Sequence, residues 1–225
     1  MPIELAKLAA LPYRAPKLGR DYWILDKALK RPEDVLARLA ARTDWVAGFP
    51  ARKESWPGRR AWDALSYEEL APLERWVRQQ TGARKLWQEP APPGARLDHN
   101  VIQCVGARDS GPRPHTDSRR VCRYAAVIYL SPKPDPEAGT SFYRLRLPGG
   151  KLGGNTVLAP SANLPEALGT NALPLELWEE EIAVPNVFNR MLLYRANLVH
   201  SATRYFGESA LTARATVLFF WMARD

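Results

Sequence analysis

Tyr124-Ala125-Ala126-Val127-Ile128-Tyr129-Leu130 is a short apolar run followed by Ser131-Pro132-Lys133-Pro134-Asp135-Pro136. A run of this length, rich in Val, Ile, Leu and Tyr and closed by turn-forming residues, reads as a buried strand. Working outward, residues 100–105, 140–147, 190–194 and 215–221 have the same character, each bounded by Gly, Pro or Asp clusters. Strands spaced in this way belong to a β-sandwich or barrel.

Upstream, Pro90-Ala91-Pro92-Pro93-Gly94 marks a change of character. Before it, residues 21–26 read as a short strand, and Pro32 opens a helix whose Val35, Leu36, Leu39 and Ala40 form one apolar stripe. A second helix starts from a Ser66/Glu69 capping box, buries Leu70, Leu73, Trp76 and Val77, and stops at Gly82. Residues 45–62, rich in Trp, Arg, Gly and Pro, read as irregular. Residues 148–189 form a long insertion with one helical stretch near 175–182, and an insertion of this size reads as a functional lid or a disordered loop. The acidic run Glu179-Glu180-Glu181 reads as a solvated face.

The 225 residues are expected to form one α+β, mainly β domain. Residues 1–94 would supply a helical layer packed on one sheet, and residues 95–225 the strand core. The start of the chain carries an acid and no long apolar run, and no stretch reaches the length of a membrane helix, so a cytoplasmic protein without a membrane partner is expected. Cys104 and Cys122 show no zinc spacing and read as free thiols in a reducing compartment. The net charge of +8 suits an anionic small molecule or acidic peptide. Its scatter from Lys7 to Arg224 argues against nucleic acid, whose binders gather charge on one stripe.

Three histidines are present: His99, His115 and His200. His115 precedes Asp117 by two residues in Pro114-His115-Thr116-Asp117, and His200 follows a strand some eighty residues later. In extended backbone, residues two apart share a face, so His115 and Asp117 can turn towards one point. Two imidazoles and a carboxylate around open positions form the ligand set of non-haem iron(II) oxygenases. His99 reads as a loop or strand-end residue, since the set is complete without it. Asn100 and Gln103 are candidates for cofactor or substrate contact, Arg119 and Arg120 for an anionic substrate, and residues 45–62 with the insertion for substrate contacts generally. Tyr129, Tyr143 and Arg144 fall near the expected site.

Gly139-Thr140-Ser141-Phe142 and Arg214-Ala215-Thr216 complete an ordered series with His115, Asp117 and His200. In order and character the series, over residues 100–221, resembles the iron(II)/2-oxoglutarate oxygenases of the prolyl-4-hydroxylase-like branch. The resemblance implies a double-stranded β-helix (jelly-roll) core, with His115, Asp117 and His200 as metal ligands. It also implies that Arg214, helped by Thr216, binds the far carboxylate of 2-oxoglutarate, with O2 as the other co-substrate. Arg204 is a rival anchor, because the spacing from His200 to Arg214 exceeds the family's usual ten or so residues. Asp117 speaks against a halogenase, whose relatives lose this carboxylate. The reaction implied is hydroxylation of an amino acid, peptide or other small metabolite. A non-catalytic binding protein on the same β-helix is the alternative, and a nucleic-acid demethylase finds support only in the charge.

Overall fold

A computed structural model describes residues 8–53, 56–90, 97–170, 173–208 and 212–224. Two antiparallel sheets face each other. The larger has strand order β1(Tyr22–Leu25)-β9(Met191–Arg195)-β6(Tyr124–Tyr129)-β11(Arg214–Arg224)-β5(Val101–Val105)-β3(Arg59–Trp62)-β2(Val46–Ala47), and β4(Lys85–Trp87) pairs with the end of β11. The smaller is β10(His200–Ala202)-β7(Thr140–Leu145)-β8(Trp178–Val184).

Strand alternation assigns the faces. On β6, Ala125, Val127 and Tyr129 pack with Phe142 of β7 and Val184 of β8 between the sheets. Their neighbours Tyr124, Ala126 and Ile128 point the other way and pack beneath two helices. The same two-sided burial holds for Leu192 against Leu193, and for Leu218 against Val217 and Phe219. Such strands are apolar at every position, which is why the 124–130 run shows no polar alternation. The helical layer is α1(Pro32–Ala40), which buries Val35 and Leu39, and α2(Tyr67–Thr81), which buries Leu73 and Val77. Each of these side chains contributes about 1.5–3 kcal/mol of burial. Both halves of the expected capping box form at Ser66 and Glu69, and Gly82 closes α2 in the left-handed region (φ 76°).

Several expectations are corrected. The short strand expected at 21–26 is present as β1, but the segment before the Pro-rich break also gives β2, β3 and β4 to the larger sheet, two of them within 45–62, which were expected to be irregular. The insertion holds a short helix, α3(Leu164–Leu168), but residues 178–184 form β8 rather than a helix. Trp178 and Val184 are buried at its ends, and the stretch pairs with β7, a tertiary contact that outweighs local helix preference. Glu179, Glu180 and Glu181 thus sit on an edge strand, where charge discourages pairing with another chain. Glu179 pairs with Arg146, and Glu181 accepts hydrogen bonds from Tyr13 Oη (2.9 Å) and Asn155 Nδ2 (3.1 Å). Cys104 and Cys122 are buried and free, and burial pushes the Cys104 thiol up to about 11. Among the described residues, no helix is long and apolar enough to cross a membrane.

Candidate metal centre

Pro112 and Pro114 favour extended backbone leading into His115, which bridges antiparallel to His200 at the start of β10. His115 N–H donates to His200 O (3.0 Å) and His200 N–H donates to His115 O (2.9 Å), a closed antiparallel pair. Directly opposed residues point to one side of a ladder, so the two rings meet with centroids 4.6 Å apart. Asp117, two residues beyond His115, is fixed by its N–H to Ala196 O (3.0 Å) and turns to the same side. Its carboxylate oxygens stand 3.9 Å from His115 Nε2 and 3.5 Å from His200 Nε2. One ligand atom from each of the three residues lies within 4.8 Å of the others.

The surroundings suit a cation. The Nδ1 of His115 lies 2.8 Å from Arg113 O, and that of His200 lies 2.8 Å from Leu198 O. Each carbonyl calls for a proton on Nδ1 and leaves the Nε2 lone pair facing Asp117. Burial, with the nearby His115, holds the His200 imidazole well below its ordinary value, so it is neutral. Burial raises the Asp117 carboxyl to about 6 against an opposing pull from His115. Asp117 Oδ2 is buried without a hydrogen-bond partner. An acceptor left bare in this way is costly unless a cation meets it, so the donor set fits a divalent metal. Tyr194 packs on His200 with centroids 4.4 Å apart and holds the ring from behind.

These residues line a cavity of about 700 Å³, within the roughly 300–1,000 Å³ of small-molecule sites. Arg214 lines it too, from the start of β11. Its side chain is buried, with Nε donating to Ala138 O (2.8 Å) and Nη2 to Gly139 O (3.0 Å). A guanidinium carries five N–H donors, so further ones remain for a ligand. Thr216 lies on the same face of β11, and its buried hydroxyl oxygen lacks a partner. The turn before β7 acts as a brace: its carbonyls hold Arg214, Thr140 Oγ1 accepts from Tyr129 Oη (2.8 Å), and Phe142 fills the space between the sheets. Arg204 is turned elsewhere, forked onto Asp135 (2.9 and 3.0 Å) and paired with Glu137.

Of the other candidates, Gln103 lines the cavity, as do Trp56 and Arg60 from residues 45–62 and Leu164 and Leu168 from the insertion. His99 lies apart, with Nδ1 2.8 Å from Phe220 O and its ring edge-on to Phe219 and Trp221. Asn100 ties down the backbone of Leu65 at both N–H and C=O. Arg119 and Arg120 hold α3, through Ser161 O and Glu166 respectively. Tyr143 is packed in the core on the outer side of the small sheet, and Arg144 stacks on Tyr13. Sequence reasoning missed Tyr205 and Arg113, which also line the cavity. Their closeness to His200 and His115 along the chain was the available signal.

Among solved structures the chain is similar to SnoN, a non-heme alpha-ketoglutarate-dependent epimerase of nogalamycin biosynthesis. They share 19% identity over 97% of this chain and 82% of that one, with a TM-score of 0.52. It is similar to HygX of Streptomyces hygroscopicus, solved with nickel, 2-oxoglutarate and hygromycin B, at 17% identity over 90% and 83% and a TM-score of 0.51. SnoK, an alpha-ketoglutarate-dependent carbocyclase of nogalamycin biosynthesis, matches at 12% identity over 94% and 88% with a TM-score of 0.53. At such identities the likeness is one of fold. No curated protein matches in sequence. A family model does match, over residues 11–205, so the chain belongs to the family of unknown function DUF6445.

Proposed function

We propose that this protein is a non-haem iron(II), 2-oxoglutarate-dependent oxygenase that hydroxylates a small molecule. The observation that carries the reading is the convergence of His115, Asp117 and His200 in a cavity that Arg214 also lines. In it, His115 Nε2, His200 Nε2 and Asp117 hold the metal. Arg214, with the Thr216 hydroxyl, receives the distal carboxylate of 2-oxoglutarate through charge-assisted hydrogen bonds. The fold shared with SnoN, SnoK and HygX supports the reading, and HygX was solved with 2-oxoglutarate bound. Bound iron(II), with O2 and 2-oxoglutarate, supplies an oxidant strong enough for an unactivated C–H bond, while the co-substrate leaves as succinate and carbon dioxide.

The chain's own residues do the rest. Backbone carbonyls keep both imidazoles in the tautomer that presents Nε2. Ala138 and Gly139 hold Arg214 in place before any ligand arrives, so little ordering is left to be done on binding. Val127, Leu218 and Phe220 line the interior and exclude water around the reacting carbon.

The test needs no substrate. Anaerobic addition of iron(II) and then 2-oxoglutarate to the metal-free protein is expected to raise a visible charge-transfer band that His200→Ala lacks. Failure of the wild type to bind either component would refute the reading and leave a binding protein on an oxygenase fold.

A further inference from the structure

Thr116 stands between two of the three converging side chains. In extended backbone, neighbouring side chains leave the chain on opposite sides, so Thr116 turns away from the point that His115 and Asp117 share. It is 6% exposed, and its Oγ1 accepts the Leu164 N–H at 3.0 Å. Leu164 opens α3, and it lines the cavity together with Pro165, Leu168 and Thr170. One buried hydroxyl thus joins the segment that carries His115 and Asp117 to a wall of the space beside them.

The insertion is tied down around this joint. Arg119 N–H donates to Ala162 O (2.8 Å) and Arg119 Nη1 to Ser161 O (3.0 Å), while Glu166 accepts from Ala162 N–H (2.9 Å) and from Arg120 (3.1 Å). Further back, the insertion is stitched to the approach to His200. Val157 N–H donates to Asn197 O (2.9 Å), Asn197 Nδ2 to Val157 O (3.1 Å) and Val199 N–H to Asn155 O (2.8 Å). Residues 155–166 therefore form a strap across both segments that carry the three side chains. A helix of five residues such as α3 does not hold its shape alone, so its place is set by what it is fastened to. Of these fastenings, only Thr116 lies between His115 and Asp117.

We propose that Thr116 is a positioning residue that couples the metal centre to this wall. An ion held by His115 and Asp117 fixes Thr116 from both sides and, through its hydroxyl, fixes Leu164 and α3. Metal occupancy then completes the shape of the cavity, and the wall is set before a substrate arrives. The proposal rests on the reading of His115, Asp117 and His200 as metal ligands. Such coupling is reciprocal: whatever frees the Leu164 N–H also weakens the hold on the ion.

Amide hydrogen exchange followed by mass spectrometry reads the wall, and cobalt(II), whose visible bands report its ligands, is the probe for the site. In the wild type, saturating cobalt(II) is expected to slow exchange across residues 161–168 roughly five-fold or more, the low end of coupling between sites, with α2 unaffected. Thr116→Val keeps the shape of the side chain and removes the acceptor. It should bind cobalt(II) more weakly by a similar factor, and the metal should no longer slow residues 161–168. Thr116→Ser, which keeps a hydroxyl, should restore both effects. If Thr116 merely stabilised α3, Thr116→Val would exchange faster with and without cobalt(II), and the slowing by metal would persist; that result overturns the proposal. So does a wild type that binds cobalt(II) with exchange of residues 161–168 unchanged, a comparison that stands even if Thr116→Val does not fold. Should the wild type bind no cobalt(II), the metal reading itself falls and this proposal with it.

Discussion

Arginines 204 and 214 lie ten residues apart and carry the same side chain, yet their surroundings set them to different work. Arg214 is buried, held by two carbonyls and lines the cavity, whereas Arg204 is half exposed and occupied by Asp135 and Glu137. A solvated pair like the latter contributes at most about 1 kcal/mol. Arg214→Gln is therefore expected to weaken 2-oxoglutarate binding by roughly ten- to a hundred-fold, the loss of a charged hydrogen bond in a desolvated site. Arg204→Gln should leave it unchanged, and anaerobic calorimetry with manganese(II) present compares them directly. A reversed result would move the anchor to Arg204.

Among the elements, the turn into β7 has the narrowest tolerance. A Cβ at Gly139 would sit 1.8 Å from Val184 O, inside the contact where β8 leaves β7. Gly139→Ala must push that turn away and carry the Ala138 and Gly139 carbonyls off the Arg214 guanidinium. The variant should lose both thermal stability and 2-oxoglutarate affinity, while Ser66→Ala, at the far end of α2, costs about 1 kcal/mol of stability with affinity intact. Parallel melting and binding curves test the contrast. Much of this element order was legible in the sequence. The helix caps and the apolar strands are local signals, and His115-x-Asp117 needed only the period of an extended chain. What was not legible depends on partners distant in sequence. Residues 178–184 become a strand because β7 offers an edge, and residues 59–62 lie between 46–47 on one side and β5, some forty residues on, on the other. Tyr205 and Arg113 gain their meaning from the cavity they share with Arg60, brought from fifty and more residues away.

For the whole molecule, the layered build leaves the imidazole of His99 buried against the helix-side face of the larger sheet. His99 is packed against Phe219 and Trp221, and burial lowers its pKa despite Phe220 O and the distant Glu74 carboxylate. In the unfolded chain it titrates near 6.5. Above that pH it is neutral in both states and contributes no pH dependence. As pH falls through about 6.5, the unfolded chain takes up a proton that the folded one refuses, so stability is lost on the acid side. His99→Asn is expected to melt with a shallower decline between pH 7 and pH 5 than the wild type. Equal slopes would mean that His99 is protonated without unfolding. At the candidate metal centre, exposure is uneven: the His115 side chain is 52% exposed, against 4% for His200 and 12% for Asp117. Since backbone hydrogen bonds, between His115 and His200 and from Asp117 to Ala196 O, already gather the three side chains, an ion bound as proposed would find its berth already built and would approach it past His115. Departure would run the same road in reverse, with the wettest ligand letting go first. On the proposed reading, how long a metal stays is a matter of traffic at one imidazole, open to adjustment without touching the two residues behind it.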